Sequence, residues 1–499
     1  MNELEILRST SFGQRVAEDE SDLLTSYFVE TEHWRRVYSG EVDVIYGPKG
    51  SGKSALYSLL VARTLELFER NIIVTTAENP RGATAFRDLE IDPPASEREF
   101  IGLWKLYFAS LLQIVFSDYS VGGADAKRLQ DALANEGLIQ PRISLQTLLR
   151  SVWDYVRKIR IQSVEAGVLV NPATQVPTGL TGKITLFEPS AEQTKAGFIS
   201  VDYLLNLANE ALKSSSNTIV WILLDRLDVA FTDNPTLETN ALRALFRVYL
   251  DMAVHSNLKL KIFLRTDIWN KLSVGGFREA SHITKHMTID WNRNSLLNLA
   301  VRRAIYNPSI QKYYDITPGI VLATTTSQES FFYKMCPEQV DVGARQSSTF
   351  DWILGRTKDS TGKNAPREVI HLLNCTRVAQ VRRLELAEAA PGEGRLLGRG
   401  AFKEALPEVS QVRLEQTLYA EHPSLREPLE KLRGDKTQQS MSTLSSIWNL
   451  SHSETEKLAQ ELVEVGFFEL RGTKDFPQYK VPFLYRSALG LIQGAAEID

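Results

Sequence analysis

The chain is poor in cysteine and histidine, has no basic excess and lacks long apolar runs, and each shortage removes a class of function. Two cysteines in 499 residues, Cys336 and Cys375, cannot frame a disulfide-stapled fold and have no C-x-x-C metal spacing, so a reducing, cytoplasmic setting is expected. With 57 Lys+Arg against 61 Asp+Glu the formal net charge is -4, which provides no chain-wide attraction to nucleic acid or to an anionic membrane. Any DNA contact has to be local. The seven histidines form no H-E-x-x-H, and no G-x-S-x-G elbow occurs, so neither a zinc protease nor a serine-hydrolase constellation is present. No window reaches 18 uninterrupted apolar residues, and the opening "MNELEILRSTSFGQRVAEDESD" has neither a basic n-region nor an apolar h-region. No membrane span or secretion signal is expected.

What is present starts with "DVIYGPKGSGKSALYSLL" at 43–60, an apolar run, a glycine-rich turn and a second apolar run of helical length. Gly47, Pro48, Lys49, Gly50, Ser51, Gly52, Lys53 and Ser54 fill G-x-x-x-x-G-K-[ST] completely, and Ala55 follows in the expected helix. The glycines permit the backbone angles that turn successive N–H groups inward on phosphates. Lys53 is placed to neutralise β and γ oxygens, Ser54 to reach Mg²⁺, and the helix adds its N-terminal partial positive charge. Gly47 to Ala55 are therefore the expected nucleotide-binding set, with ATP and Mg²⁺ as ligands.

Such a loop needs a carboxylate at the end of a buried strand. "TIVWILLDRLDVAF" supplies Asp225 directly after the apolar run Ile219 to Leu224, and Asp225 is the expected Mg²⁺-shell residue. Asp228, three residues on, reads either as the base that orients the attacking water or as a helix N-cap. The residue after Asp225 is Arg226, where the commonest ATPase arrangement has a glutamate.

Downstream, "LKLKIFLRTDIW" reads as a strand ending in Arg265, Thr266 and Asp267. In a parallel sheet it is expected between the loop strand and the acidic strand, with Arg265 or Thr266 near the γ-phosphate; the bland alternative is a solvated strand end. A fifth strand is expected near 285–290 and a helix from 293. Arg278, just before that strand, reads as an arginine finger for a neighbouring copy or as an ordinary exposed arginine. "TGKNAPREVIHLLN" places Pro366 at a helix start and Arg367 in its first turn, against the helix dipole, as an expected reporter of the γ-phosphate.

Taken together, "GPKGSGKS", "WILLDRLD", "KIFLRTD" and "APREVIHLLN" resemble the AAA+ and STAND branches of P-loop ATPases. "ILLDRLD" is similar to the acidic motif of NACHT and KAP ATPases, where a second acidic residue follows the magnesium aspartate at this interval. "PREVIHLLN" resembles the sensor-2 helix of origin-recognition-like and STAND proteins. The resemblance spans residues 41–385. "YFVETEHWRRVYSGEVDVIYGPKGSGKSAL" and "WILLDRLDVAF" also look like a bacterial group of P-loop ATPases common in mobile or anti-phage defence contexts. The resemblance implies a regulated ATP switch and names no target.

The expected organisation is an N-terminal segment 1–40, a P-loop α/β core 41–290 with a parallel sheet and an insertion at about 120–200, a helical lid 291–385, a linker 386–423 and a winged helix 424–499. The insertion is expected because 172 positions separate Lys53 from Asp225 (225 − 53), far more than one crossover needs. Between Lys53 and Asp225, "REFIGLWKLYFASLLQIVFSDY" and "ISLQTLLRSVWDYVRKIRIQSV" both read as amphipathic helices, the second with Arg157, Lys158 and Arg160 as a solvated face. "VLVNPATQVPTGLTGKITLFEPSAEQTKAG" reads as an irregular excursion. Tyr27, Phe28 and Trp34 precede the loop, either as core or as a platform for adenine.

At the far end, two short helices, with Ser453 and Glu456 as a capping box, and two strand candidates read as a winged helix, whose usual partner is DNA. Residues 436–499 carry six Lys+Arg against eight Asp+Glu, which favours a protein partner or self-inhibition over DNA. The reading is thus a Mg²⁺-dependent ATP switch working as an oligomer or on a partner protein. Its rivals are a DNA-remodelling motor and a nucleotide-holding scaffold without turnover, with a small-molecule kinase last.

Overall fold

A computed structural model describes residues 2–14, 20, 24–26, 28–78, 96–139, 144–165, 184–227, 234–473 and 475–496, with side chains described to 159 in the helix that ends at 165 and from 236 in the one that begins at Pro235. The chain groups into two compact units, Glu32–Pro48 with Lys53–Ile289, and Met1–Thr31 with Lys49–Gly52 and Asp290–Asp499.

The first unit is built on five parallel strands: β1 Val44–Gly47, β2 Ile72–Thr76, β3 Ile219–Leu224, β4 Leu258–Arg265 and β5 His286–Thr288, in the order β2-β3-β4-β1-β5. β1 is buried throughout and β3 and β4 almost so, which is why they read as continuous apolar runs rather than alternating ones. β4 lies between β1 and β3, as expected of a parallel sheet of this kind. The α/β class and the parallel P-loop sheet are as the sequence indicates.

Helices α1 Lys53–Ala62, α2 Glu97–Asp118, α3 Leu145–Glu165, α4 Val201–Ser214, α5 Pro235–Met252 and α6 Thr266–Val274 belong to this unit. Contrary to the amphipathic reading, α2 is buried nearly all round, with Phe100, Trp104, Tyr107 and Phe108 in the core and Trp104 Nε1 donating to Ala241 O of α5 at 3.0 Å. Its apolar content alone would suit a bilayer, but 83% of its apolar window is inside this core. α3 keeps an exposed face that includes Arg157 and Lys158. The Pro/Gly/Thr-rich stretch falls mostly outside the described residues.

The second unit opens with the helix Glu3–Ser9, whose Ile6 and Leu7 are buried in the same cluster as helices α7 Arg293–Ile305, α8 Thr349–Thr357, α9 Pro366–Glu385 and α10 Arg399–Arg413. α10 corrects the expected linker. Its glycines, Gly398 and Gly400, sit at the helix start, while Phe402, Ala405 and Val409 are buried. The chain then forms β6 Lys436–Ser440, α11 Met441–Trp448, α12 His452–Glu464, β7 Glu469–Gly472, β8 Pro477–Lys480 and β9 Ile492–Ala495. The sheet order β9-β6-β8-β7, with an antiparallel β7–β8 hairpin behind two short helices, is a winged helix with an added parallel strand. The capping box of α12 is Ser451 with Glu454, not Ser453 with Glu456. Both pairs have the S-x-x-E spacing, and the helix starts where Asn449, in left-handed backbone, ends α11.

Candidate functional site

The loop after β1 turns at Gly50 (φ +79°) and Gly52 (φ +100°), and α1 begins at Lys53. Glycine is needed at Gly50 on two counts, since a Cβ there would also lie 3.1 Å from Arg367 Cβ. Lys53 Nζ donates to the main-chain oxygens of Gly47 (2.9 Å) and Pro48 (3.1 Å), so the ammonium is folded back over the loop's own carbonyls. Ser54 and Ala55 are half-buried in the first turn of α1.

Lys49–Gly52 group with the second unit, and their contacts there are specific. Lys49 is ion-paired to Glu421, and Trp291 Nε1 donates to Ser51 O at 2.8 Å. Arg367 stands in the first turn of α9, after Ala365 at the N-cap and Pro366 at N1. Among the described residues, Arg367 Nε and Ser51 Oγ are buried and have no hydrogen-bond partner. Buried donors of this kind cost stability unless a ligand or water satisfies them. Neither Trp291 nor Glu421 is legible as a site residue in the sequence, because each meets the loop only through tertiary packing.

In the first unit, Asp225 follows β3 directly and is 5% exposed. Arg226, next to it, adopts left-handed backbone at φ +57°. Arg265 ends β4 level with Gly47 and pairs with Asp267 at 2.8 Å. Burial raises the Asp267 carboxyl, but the bond from Arg265 and its charge hold it below its usual value. Thr266 Oγ1 is buried without a partner among the described residues. Arg278 is exposed on the short 3-10 turn Arg278–His282. Asp228 and Tyr27 lie outside the described residues.

Trp34 is core. It is 3% exposed, stacked on Tyr38 with ring centroids 5.1 Å apart, and Arg63 lies over its ring at 5.2 Å. Phe28 is half-buried. One residue that the sequence did not single out stands at the same row of strand ends. Glu78 follows β2 and is 1% exposed, and Tyr57 of α1 donates its hydroxyl to Glu78 O at 3.3 Å.

No family model matches the chain, and no curated protein matches it in sequence. Among solved structures it is similar to the ORC2 protein of Aeropyrum pernix in its ADPNP-ADP complexes, at 13% identity and TM-score 0.37, over 96% of this chain and 94% of that one. The ADP form of ORC2 is similar at 10% identity and TM-score 0.31, over 93% and 88%.

Proposed function

We propose that the chain binds ATP with Mg²⁺ and hydrolyses it, acting as a nucleotide-driven switch on a partner protein or on further copies of itself. The observation that carries this reading is the glycine loop, with Lys53 at the head of α1 and Asp225 at the carboxyl end of β3 in one parallel sheet. The Ser54 hydroxyl and the Asp225 carboxylate are the hard oxygen donors that Mg²⁺ takes, and the ion would draw charge from the phosphates. Arg265 and Thr266, at the end of the strand between, suit recognition of the γ-phosphate. Arg278, exposed, suits action in trans on a second copy.

Arg367 is the proposed reporter. Its neighbour Glu368 accepts from Arg413 Nη1 at 2.9 Å, and Arg413 also reaches Asp359 (3.6 Å) and the Tyr485 hydroxyl (3.4 Å). Nucleotide held against Arg367 would bear on this buried polar chain, which ends in the winged helix. That module has a face suited to protein. α12 carries Glu454, Glu456, Glu461 and Glu464 against Lys457, which opposes phosphate binding, while Leu470 and Phe476 of the wing are exposed. A place in phage defence rests only on the resemblance of residues 27–56 and 221–231.

ATP affinity and turnover of the wild type and Lys53→Ala, with and without duplex DNA at low and high salt, test the reading. Expected are ATP binding that Lys53→Ala weakens at least tenfold, and turnover indifferent to DNA. Binding without turnover would leave a holding site, and DNA stimulation with steep salt dependence would indicate a motor.

A further inference from the structure

We infer that Glu78 is the general base that activates the attacking water, so that the strand beside β3 supplies the carboxylate missing after Asp225. The inference rests on the ATP-hydrolysing reading above.

Arg226 stands in the position next to Asp225, and a guanidinium cannot take a proton from water. The adjacent strand offers another route. β2 and β3 are parallel, with Thr76 opposite Leu223, and the ladder runs past the strand end because Ala77 N donates to Leu223 O at 2.9 Å. Counted on past the last pair, Thr76–Leu223, and beyond the ends of both strands, Glu78 and Asp225 fall at the same level. Residues level in a parallel ladder share a face, so the two carboxylates are neighbours at the carboxyl end of the sheet. Both are buried, at 1% and 5% exposure.

The phosphate end of the site is close by. Tyr57 is four residues after Lys53, one turn along the same face of α1, and its hydroxyl bonds to the Glu78 main chain at 3.3 Å. Burial first, then the charges of Asp225 and Glu78, raise the Tyr57 phenol above its usual value, so each carboxylate lies within electrostatic reach of that hydroxyl. On the other side of β3, at the start of α6 after β4, the buried Thr266 Oγ1 lacks a partner among the described residues. Among the described residues, the row of strand ends therefore holds two carboxylates and an unsatisfied hydroxyl, in the unit whose α1 begins at Lys53.

The step balances. Glu78 takes one proton from a water molecule as its oxygen bonds to the γ-phosphorus of ATP. The bond from that phosphorus to the β–γ bridging oxygen breaks, and its electron pair stays on the β-phosphate of ADP. Inorganic phosphate leaves, and Glu78 returns its proton to solvent.

The test compares full-length wild type, Glu78→Gln, Glu78→Asp and Asp228→Asn in ATP binding, single-turnover hydrolysis and pH–rate profile. Glu78→Gln is expected to bind ATP within about threefold of wild type and to lose about 10² to 10⁴ in hydrolysis, the range of a general base, with the ascending acid limb gone from its profile. Glu78→Asp, which keeps the charge, serves if the amide variant does not fold, and should keep the acid limb at a rate at least tenfold lower. Asp228→Asn is expected to lose at least tenfold less in hydrolysis than Glu78→Gln. Hydrolysis by Glu78→Gln within threefold of wild type, or loss confined to Asp228→Asn, overturns the inference. A wild type that binds ATP without turnover overturns it too, and that failure belongs to the hydrolytic reading rather than to the choice of base.

Discussion

Arg226 has a backbone φ of +57° directly after the buried Asp225. An L-residue there pays about 1 kcal/mol or more, because its Cβ crowds the following carbonyl. The strain turns the chain sharply at the strand end where Asp225 emerges. Arg226→Gly should therefore be more stable than Arg226→Ala by about 1 kcal/mol in chemical denaturation, since both lose the guanidinium and only one keeps the Cβ. Equal stabilities would mean that the backbone there is relaxed. Asp341 shows a different residue-scale effect. It accepts from Lys403 (2.8 Å), Trp352 Nε1 (2.8 Å) and Arg356 (3.1 Å), and the Lys403 bond, with help from Trp352 and the two cations, outweighs burial to hold its carboxyl below the ordinary 3.8. A carboxylate with a lowered folded value stabilises fully above its unfolded value and loses that effect as pH falls through the folded one. Asp341→Asn should reduce stability at neutral pH and give a shallower loss below about pH 4, read from melting temperatures across an acid series.

At the scale of elements, α10 shows where composition misleads. "APGEGRLLGRGAF" has the glycine content of a linker, yet Arg399–Arg413 is a helix whose Phe402 is fully buried and lies against Trp352 of α8, ring centroids 6.2 Å apart. Phe402→Ala should cost about 3–5 kcal/mol, as removal of a buried aromatic does, whereas a true linker would lose almost nothing. A shift of the denaturation midpoint decides between them. The strands were easier to read. β1, β3 and β4 are buried on both faces and announce themselves as apolar runs, and their polar ends fall where the sheet opens. β2 gives a weaker signal, and Glu78 at its end with it. One short run, "NIIVTTAEN", carries no motif that marks its glutamate.

For the whole molecule, the sequence by itself determined the glycine loop, the α/β parallel core, the acidic strand end and the winged helix. Those features are local: glycine spacing, continuous apolar runs and alternating turns impose their geometry on a few consecutive residues. Tertiary structure alone decided which distant groups meet. It set Trp291 on the carbonyl of Ser51, Lys49 against Glu421 and Arg367 over Gly50, and it paired β2 with β3, two strands separated by the long insertion, so that Glu78 and Asp225 follow neighbouring strand ends. It also buried Trp34 against Tyr38 and Arg63, as the core residue that the sequence favoured over an adenine platform. The reason is physical. Strand order, register and burial arise from packing between segments far apart in the chain, and no local pattern encodes which partner each will find.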